Sequence, residues 1–357
     1  MRGFYFILLL LPKLKVMYIE QLYTGCLAEA AYYIESNGEA TIIDPLRETE
    51  PYLQKAQERG AKIKYIFETH FHADFVSGHL DLAAKTGAPI VYGPTAETDF
   101  DIIKATDGQI FELGLLKIKL LHTPGHTPES SCYLLFDQNG KEHSIYTGDT
   151  LFIGDVGRPD LAQKAGEMTD EDMAATLYDS LHNKIMTLPD DITVYPAHGA
   201  GSACGKNMSS ETSALLGDQK QTNYALGGLT KEEFVKELTT GILPAPQYFA
   251  KAASQNKKGY KSIDDIFESS MNAMSMEEML EAQNKGVMVL DTRKEGEFSN
   301  GHIPNALYIG LHGQFAPWAG ALIVDMHQPI VIVAQEGREQ EAIMRLARVG
   351  YDNVIGY

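Results

Sequence analysis

The residues best suited to chemistry in this sequence are histidines and aspartates standing just past apolar runs. The run KIKYIFETH leads into Thr69-His70-Phe71-His72-Ala73-Asp74-Phe75. Imidazoles at i and i+2 with a carboxylate at i+4 can converge from one loop on a single ion. His126 in TPGHT, Asp149 in YTGDT and His198 in YPAHG follow in order, each with a glycine beside it. A lone histidine is usually a satisfied structural or surface group. Four strand-end elements of this kind in one chain instead predict a metal site.

The elements that must position these residues are short and β-rich. YIEQLYTG, AAYYIES and EATIIDP read as strands, as do LKIKLLHTPGH, HSIYTGD and ITVYPAHG, the last three ending in His or Asp. Helical segments are expected over 50–60, 76–87 and 171–187. Another is expected over 230–242, where Thr230 and Glu233 have capping-box spacing. The polar, lysine-rich stretch KAASQNKKGYKS reads as part of a linker over 251–264, between units at 17–250 and 265–357. Residues 1–16 (MRGFYFILLLLPKLKV) are expected to be a mis-called start or an apolar leader. Their apolar run is too short to span a bilayer, no small-residue cleavage site follows, and Met17 opens a plausible globular start.

The motif series resembles the metallo-β-lactamase fold superfamily, whose first motif is HxHxDH. That resemblance covers about residues 17–250 and implies an α/β fold, an αββα sandwich with the metal at one edge between the sheets. Phe75 stands where the hydrolases of the family have the histidine that helps hold a second metal. A phenyl ring has no lone pair, so a dinuclear centre is weakened while the first site is untouched. His70, His126 and Asp149 would form the two-histidine, one-carboxylate triad of non-heme Fe(II) oxygenases. The persulfide dioxygenases are the branch of the fold that uses this set. The resemblance therefore implies one Fe(II) per chain, O₂ as co-substrate and a small-thiol persulfide as substrate. His72, Asp74 and His198 are expected as alternative ligands or as groups that orient the ligands or a bound water. Arg158 in GDVGRPDL matches an arginine that the family places near the thiol substrate. Cys204 in HGAGSACGKN matches a cysteine that would exchange sulfane sulfur if it were a thiolate. His122 reads as a packing or hydrogen-bonding residue.

VLDTRKEGEFSNGHIPNALYIGL resembles the rhodanese signature, with Asp291, Arg293 and Glu297 in order. Rhodanese catalysis needs a cysteine thiolate in a nest of backbone N–H groups after the central strand. Here that strand is PIVIVAQ and Ala334 stands in the cysteine position, with no cysteine after Cys204. The second unit is thus a smaller rhodanese-like α/β domain unable to form a persulfide. It reads as C-terminally truncated, before an active rhodanese domain or in place of a rhodanese partner.

Together these features predict an iron-dependent persulfide dioxygenase of sulfide detoxification, producing sulfite and thiol. A glyoxalase II-type hydrolase of thioesters, which would use zinc, and a non-catalytic sulfur-relay scaffold are the alternatives. The formal charge of −18 over 357 residues offers no attraction to nucleic acid or an anionic membrane. Three widely spaced cysteines form no disulfide framework, which points to the cytoplasm. A homo-oligomer is expected.

Overall fold

A computed structural model describes residues 17–161 and 168–357. The leader expected over 1–16 lies outside them. The first sheet joins β1 (Tyr18–Thr24), β2 (Glu29–Ser36), β3 (Glu39–Ile43), β4 (Lys62–Phe67), β5 (Ile90–Tyr92) and β6 (Ile103–Lys104) in sequence order. The second joins β7 (Ile110–Leu113), β8 (Leu116–His122), β9 (Ser131–Phe136), β10 (Glu142–Gly148), β11 (Thr193–Pro196) and β12 (Ala214–Leu215). Alternation along the strands sends Tyr32, Ile34, Ile43, Phe67 and Val91 of the first sheet against Phe111, Ile118, Leu120, Tyr133 and Tyr146 of the second.

The outer faces are covered by helices. α1 (Glu50–Arg59) and α2 (His79–Thr86) place Tyr52, Ala56 and Leu82 on the first sheet. α3 (Asp170–Ser180) leads into a single π turn and packs with α5 (Lys231–Thr239) on the second, through Ala174, Leu177, Phe234 and Leu238. α4 (Leu216–Thr222) lies between them in sequence. The result is the expected αββα sandwich. Thr230 and Glu233 do form a capping box on α5. α2 starts later than expected, because Leu46 bridges to Ser77 and Gly78 N–H donates to Pro45 O at 2.8 Å.

The segment expected as a linker is instead structured. α6 (Phe249–Lys258) and the start of α7 (Ile263–Ser270) occupy 251–264. Its four lysines make the segment read as polar, but Phe249, Ala252 and Asn256 fall on one face of α6 and are buried. Beyond it, α8 (Met276–Asn284), α9 (Glu295–Asn300), α10 (Phe315–Leu322) and α11 (Glu339–Ala347) accompany a third sheet. That sheet is parallel, in the order β14 (Leu307–Tyr308), β13 (Met288–Asp291), β15 (Ile330–Val333), β16 (Val354–Gly356). The two units share one core, in which Leu46, Phe75, Val76 and Phe152 meet Phe249, Ile263, Phe315, Leu346 and Tyr351. No helix among the described residues is long and apolar enough to cross a membrane.

Candidate metal centre

All four chelating loops leave strand ends at the same edge of the sandwich. The loop after β4 carries His70, His72 and Asp74, the β8–β9 turn carries His126, and the ends of β10 and β11 carry Asp149 and His198. All six are buried. Close approach of the first and third loops requires glycine at 148. Its φ is +53°, and a Cβ there would lie 2.6 Å from Thr69 Cβ.

Hydrogen bonds fix how each imidazole is presented. Thr69 donates its N–H to Asp44 Oδ1 (2.7 Å) and its hydroxyl to Asp44 Oδ2 (2.8 Å). The hydroxyl must then accept from His70 Nδ1, 2.9 Å away, which leaves the lone pair of His70 on Nε2. His126 Nδ1 donates to the Arg158 carbonyl at 2.7 Å, so its Nε2 lone pair is also free. These Nε2 atoms lie 3.8 Å (His70) and 3.4 Å (His126) from Asp149 Oδ2, which has no hydrogen-bond partner. Burial, and next His72, push the His70 imidazole well below its ordinary pKa, which keeps it neutral. Two lone pairs and a carboxylate oxygen thus face one another in a buried space. Bonds of about 2.1 Å to one cation would set such atoms about 3.0–3.5 Å apart. The donor set fits a metal ion, and only a cation or added protons would balance it.

His198 sits between two carboxylates. Its Nδ1 is 2.7 Å from Asp149 Oδ1 and its Nε2 2.9 Å from Asp74 Oδ2. Burial opposes charge on this ring, but Asp149 and Asp74 outweigh it and hold its pKa well above the usual range. Burial likewise works against ionisation of Asp149, yet His198 and His70 keep its carboxyl far below the ordinary value. His72 turns the other way. Its Nε2 lies 3.1 Å from Asp44 Oδ1, and its ring is sandwiched between His70 (4.1 Å) and Phe75 (4.3 Å). His72, Asp74 and His198 still have ligand atoms within 4.8 Å of one another, so they form a second, looser group of potential ligands.

Two expected site residues take other parts. The guanidinium of Arg158 is committed to Asp160 (2.6 Å to each carboxylate oxygen) and to the Leu243 (2.6 Å) and Ala203 (3.2 Å) carbonyls. Arg158 meets the centre through its own carbonyl on His126. Gly157 beside it leaves room for that ring, because a Cβ would lie 2.8 Å from His126 Nδ1. Cys204 reaches the Asp149–His198 pair. Burial, followed by the Asp74 and Asp149 charges, pushes its thiol well above the ordinary pKa. The thiolate required for sulfur exchange is therefore disfavoured. His122 Nε2 donates to the Pro128 carbonyl within its own turn, at 2.9 Å.

Sequence reasoning passed over Asp44, the anchor of Thr69. The signal was present, since EATIIDP also ends a strand on an aspartate. In the rhodanese-like unit, Arg293 pairs with Asp291 at 2.6 Å. Ala334, the position where the sequence resemblance expects a cysteine, directly follows β15.

Comparison with known proteins identifies families for both units. Residues 24–198 match the metallo-beta-lactamase superfamily and residues 275–357 the rhodanese-like domain. The human protein named persulfide dioxygenase ETHE1, mitochondrial, is 33% identical over 223 residues, covering 62% of this chain and 79% of that protein. A hydroxyacylglutathione hydrolase of Brucella anthropi is 36% identical over 144 residues, 40% of this chain and 50% of that one. A crystal structure described as a metallo-beta-lactamase from Staphylococcus aureus subsp. aureus COL superposes with a TM-score of 0.86 at 32% identity, covering 96% of this chain and 99% of that one. ETHE1 from Myxococcus xanthus gives 0.58 at 28% identity, over 67% of this chain and 98% of its own. This chain belongs to the metallo-beta-lactamase superfamily, carries a C-terminal rhodanese-like domain, and is a homologue of the ETHE1 persulfide dioxygenases.

Proposed function

We propose that the chain is an Fe(II)-dependent persulfide dioxygenase acting on a low-molecular-weight thiol persulfide. The carrying observation is the convergence of the His70 and His126 Nε2 lone pairs on the orphaned Oδ2 of Asp149, with a phenyl ring at position 75. Two imidazoles and one carboxylate leave open positions on iron for a substrate sulfur and O₂. The balanced reaction is R–S–SH + O₂ + H₂O → R–SH + sulfite + two protons. When bound, Fe(II) would supply the oxygen chemistry, and the protein orientation and shielding. Thr69 and the Arg158 carbonyl hold the two imidazoles in one tautomer. His198 holds Asp149 through Oδ1 and leaves Oδ2 to the metal. The buried setting keeps bulk water from the site. The three free cysteines suit a reducing cytoplasm.

A hydrolase reading is favoured by the hydroxyacylglutathione hydrolase relative and by the His72, Asp74, His198 group. One experiment separates the two. The purified chain is assayed for bound metal, for O₂ uptake with glutathione or coenzyme A persulfide, and for thioester cleavage. About one iron per chain with sulfite formation is expected. Two zincs with thioester cleavage would establish the hydrolase instead.

A further inference from the structure

The segment that carries His72, Asp74 and Phe75 is held by groups remote in sequence. Asn256, on the buried face of α6, donates from Nδ2 to the carbonyls of His72 and Phe75, both at 2.8 Å. Its Oδ1 accepts from Ser77 N–H at 2.9 Å. Both amide hydrogens and the oxygen are thus used, and a flipped amide would set oxygen against two carbonyls. The neighbouring Val76 N–H donates to the carbonyl of Arg348, in the rhodanese-like unit, at 2.6 Å.

A second hold lies beside the first. Arg47 is fully buried and binds the Asp352 carboxylate (2.5 and 2.9 Å) and the carbonyls of Ala347 (2.6 Å) and Lys261 (2.7 Å). Three residues earlier, Asp44 grips Thr69, whose hydroxyl orients His70. Ser77 Oγ and Gly78 N–H both reach Pro45 O, at 3.0 and 2.8 Å, and tie the two segments together. Both segments next to the chelating loop are therefore anchored in α6 and the rhodanese-like unit.

We infer that Asn256 is a positioning residue for the metal centre, and that α6, through Asn256, and the cysteine-less rhodanese-like unit, through Arg47 and Val76, form a brace that sets metal affinity. This role does not depend on which reaction the centre performs.

The test uses the full chain, stripped of metal and titrated with Co(II) against a competing chelator, with the d–d absorption recorded. Asn256→Asp keeps the side-chain volume but loses both donors, and Asn256→Ala loses volume as well. Each is expected to weaken Co(II) binding about 10- to 100-fold, as loss of groups that orient ligands does elsewhere, and to shift the d–d band. A merely structural role would lower the melting temperature with and without metal alike and leave affinity unchanged. Affinity within about twofold of the parent and an unmoved spectrum in folded Asn256→Asp would overturn the inference. Should neither variant fold, Asp352→Asn at the far end of the brace decides. About 3- to 10-fold weaker Co(II) binding supports the coupling, and unchanged binding refutes it.

Discussion

Thr69 offers the sharpest test of how the first imidazole is presented. Thr69→Val keeps the shape of the side chain and removes the hydroxyl that donates to Asp44 and accepts from His70 Nδ1. The bond to a buried carboxylate is worth about 1.5–3 kcal/mol, and the bond to a neutral imidazole about 0.5–1.5 kcal/mol. The sum, about 2–4.5 kcal/mol, is the expected loss of stability in the metal-free protein. Part of it reaches the metal, because His70 can then carry its proton on Nε2, the atom that must be free. Outer partners of this kind change metal affinity about 10- to 100-fold. Thr69→Ser retains the oxygen and should recover most of that affinity. The assay is anaerobic Fe(II) or Co(II) binding against a chelator, with urea unfolding of the metal-free proteins alongside. A folded valine variant that binds metal like the parent, or a serine variant as weak as valine, would refute the assignment of the lone pair to His70 Nε2.

Other expectations follow from the same geometry. His126→Ala should abolish metal binding, read by metal analysis of the purified protein, and retained stoichiometric metal would show that the triad is misassigned. Phe75→His should lower stability by about 1–3 kcal/mol, because it buries a polar ring without a partner, and should leave metal at one per chain. Two metals with thioester cleavage in that variant would contradict this. Burial, aided by His72, holds the His79 imidazole down to about 3, whereas an unfolded histidine titrates near ~6.5. Its stabilising contribution is therefore complete above pH ~6.5 and falls as pH drops toward 3, where the native state also takes up the proton. His79→Gln should flatten that acid-side decline in urea midpoints of metal-free protein, and an unchanged slope would reject the attribution. Burial pushes the Cys132 thiol up to about 11 and, with Asp74 and Asp149, raises that of Cys204 well above its ordinary value. Iodoacetamide at pH 8 should thus label the part-exposed Cys26 in native metal-free protein and spare the other two. Comparable labelling of Cys204 would reopen its role in sulfur exchange.

The strand-end placement of His70, His126, Asp149 and His198 was legible because each follows an apolar run and the last three have a glycine beside them. The sandwich and the rhodanese-like unit were legible for the same reason, through ordered motifs and period-two strands. What the residues alone could not reveal is set by contacts across the fold. Which nitrogen of His70 is free depends on Asp44, from another strand end. The weak acidity of Cys204 depends on its burial and then on two carboxylates brought to it by distant loops. Arg158 looked like a substrate-facing charge, but Asp160, two residues away, and the Leu243 carbonyl hold its guanidinium. The linker expectation failed for a related reason. Composition weighed every lysine of 251–264, while the fold uses only the buried face of α6, where a single asparagine meets three backbone groups.

Phe75 joins these observations. Its absence of a lone pair first reads as a missing ligand, and hence as a site for one metal. In the fold its ring is fully buried, tilted against His72 at 4.3 Å between centroids, and part of the core shared with the rhodanese-like unit. Its carbonyl accepts from Asn256, and the next residue donates to Arg348. A histidine here would carry at least one ring nitrogen into that apolar core, where a buried polar group without a partner costs about 1–3 kcal/mol. One side chain thus stands where the second-metal histidine is expected and lies in the apolar core that both units share. The weaker second-metal site expected from the sequence and the core shared with the rhodanese-like unit meet at the same residue. A second unit without a catalytic cysteine can then still matter to the chemistry, because it packs directly on the loop that carries the ligands.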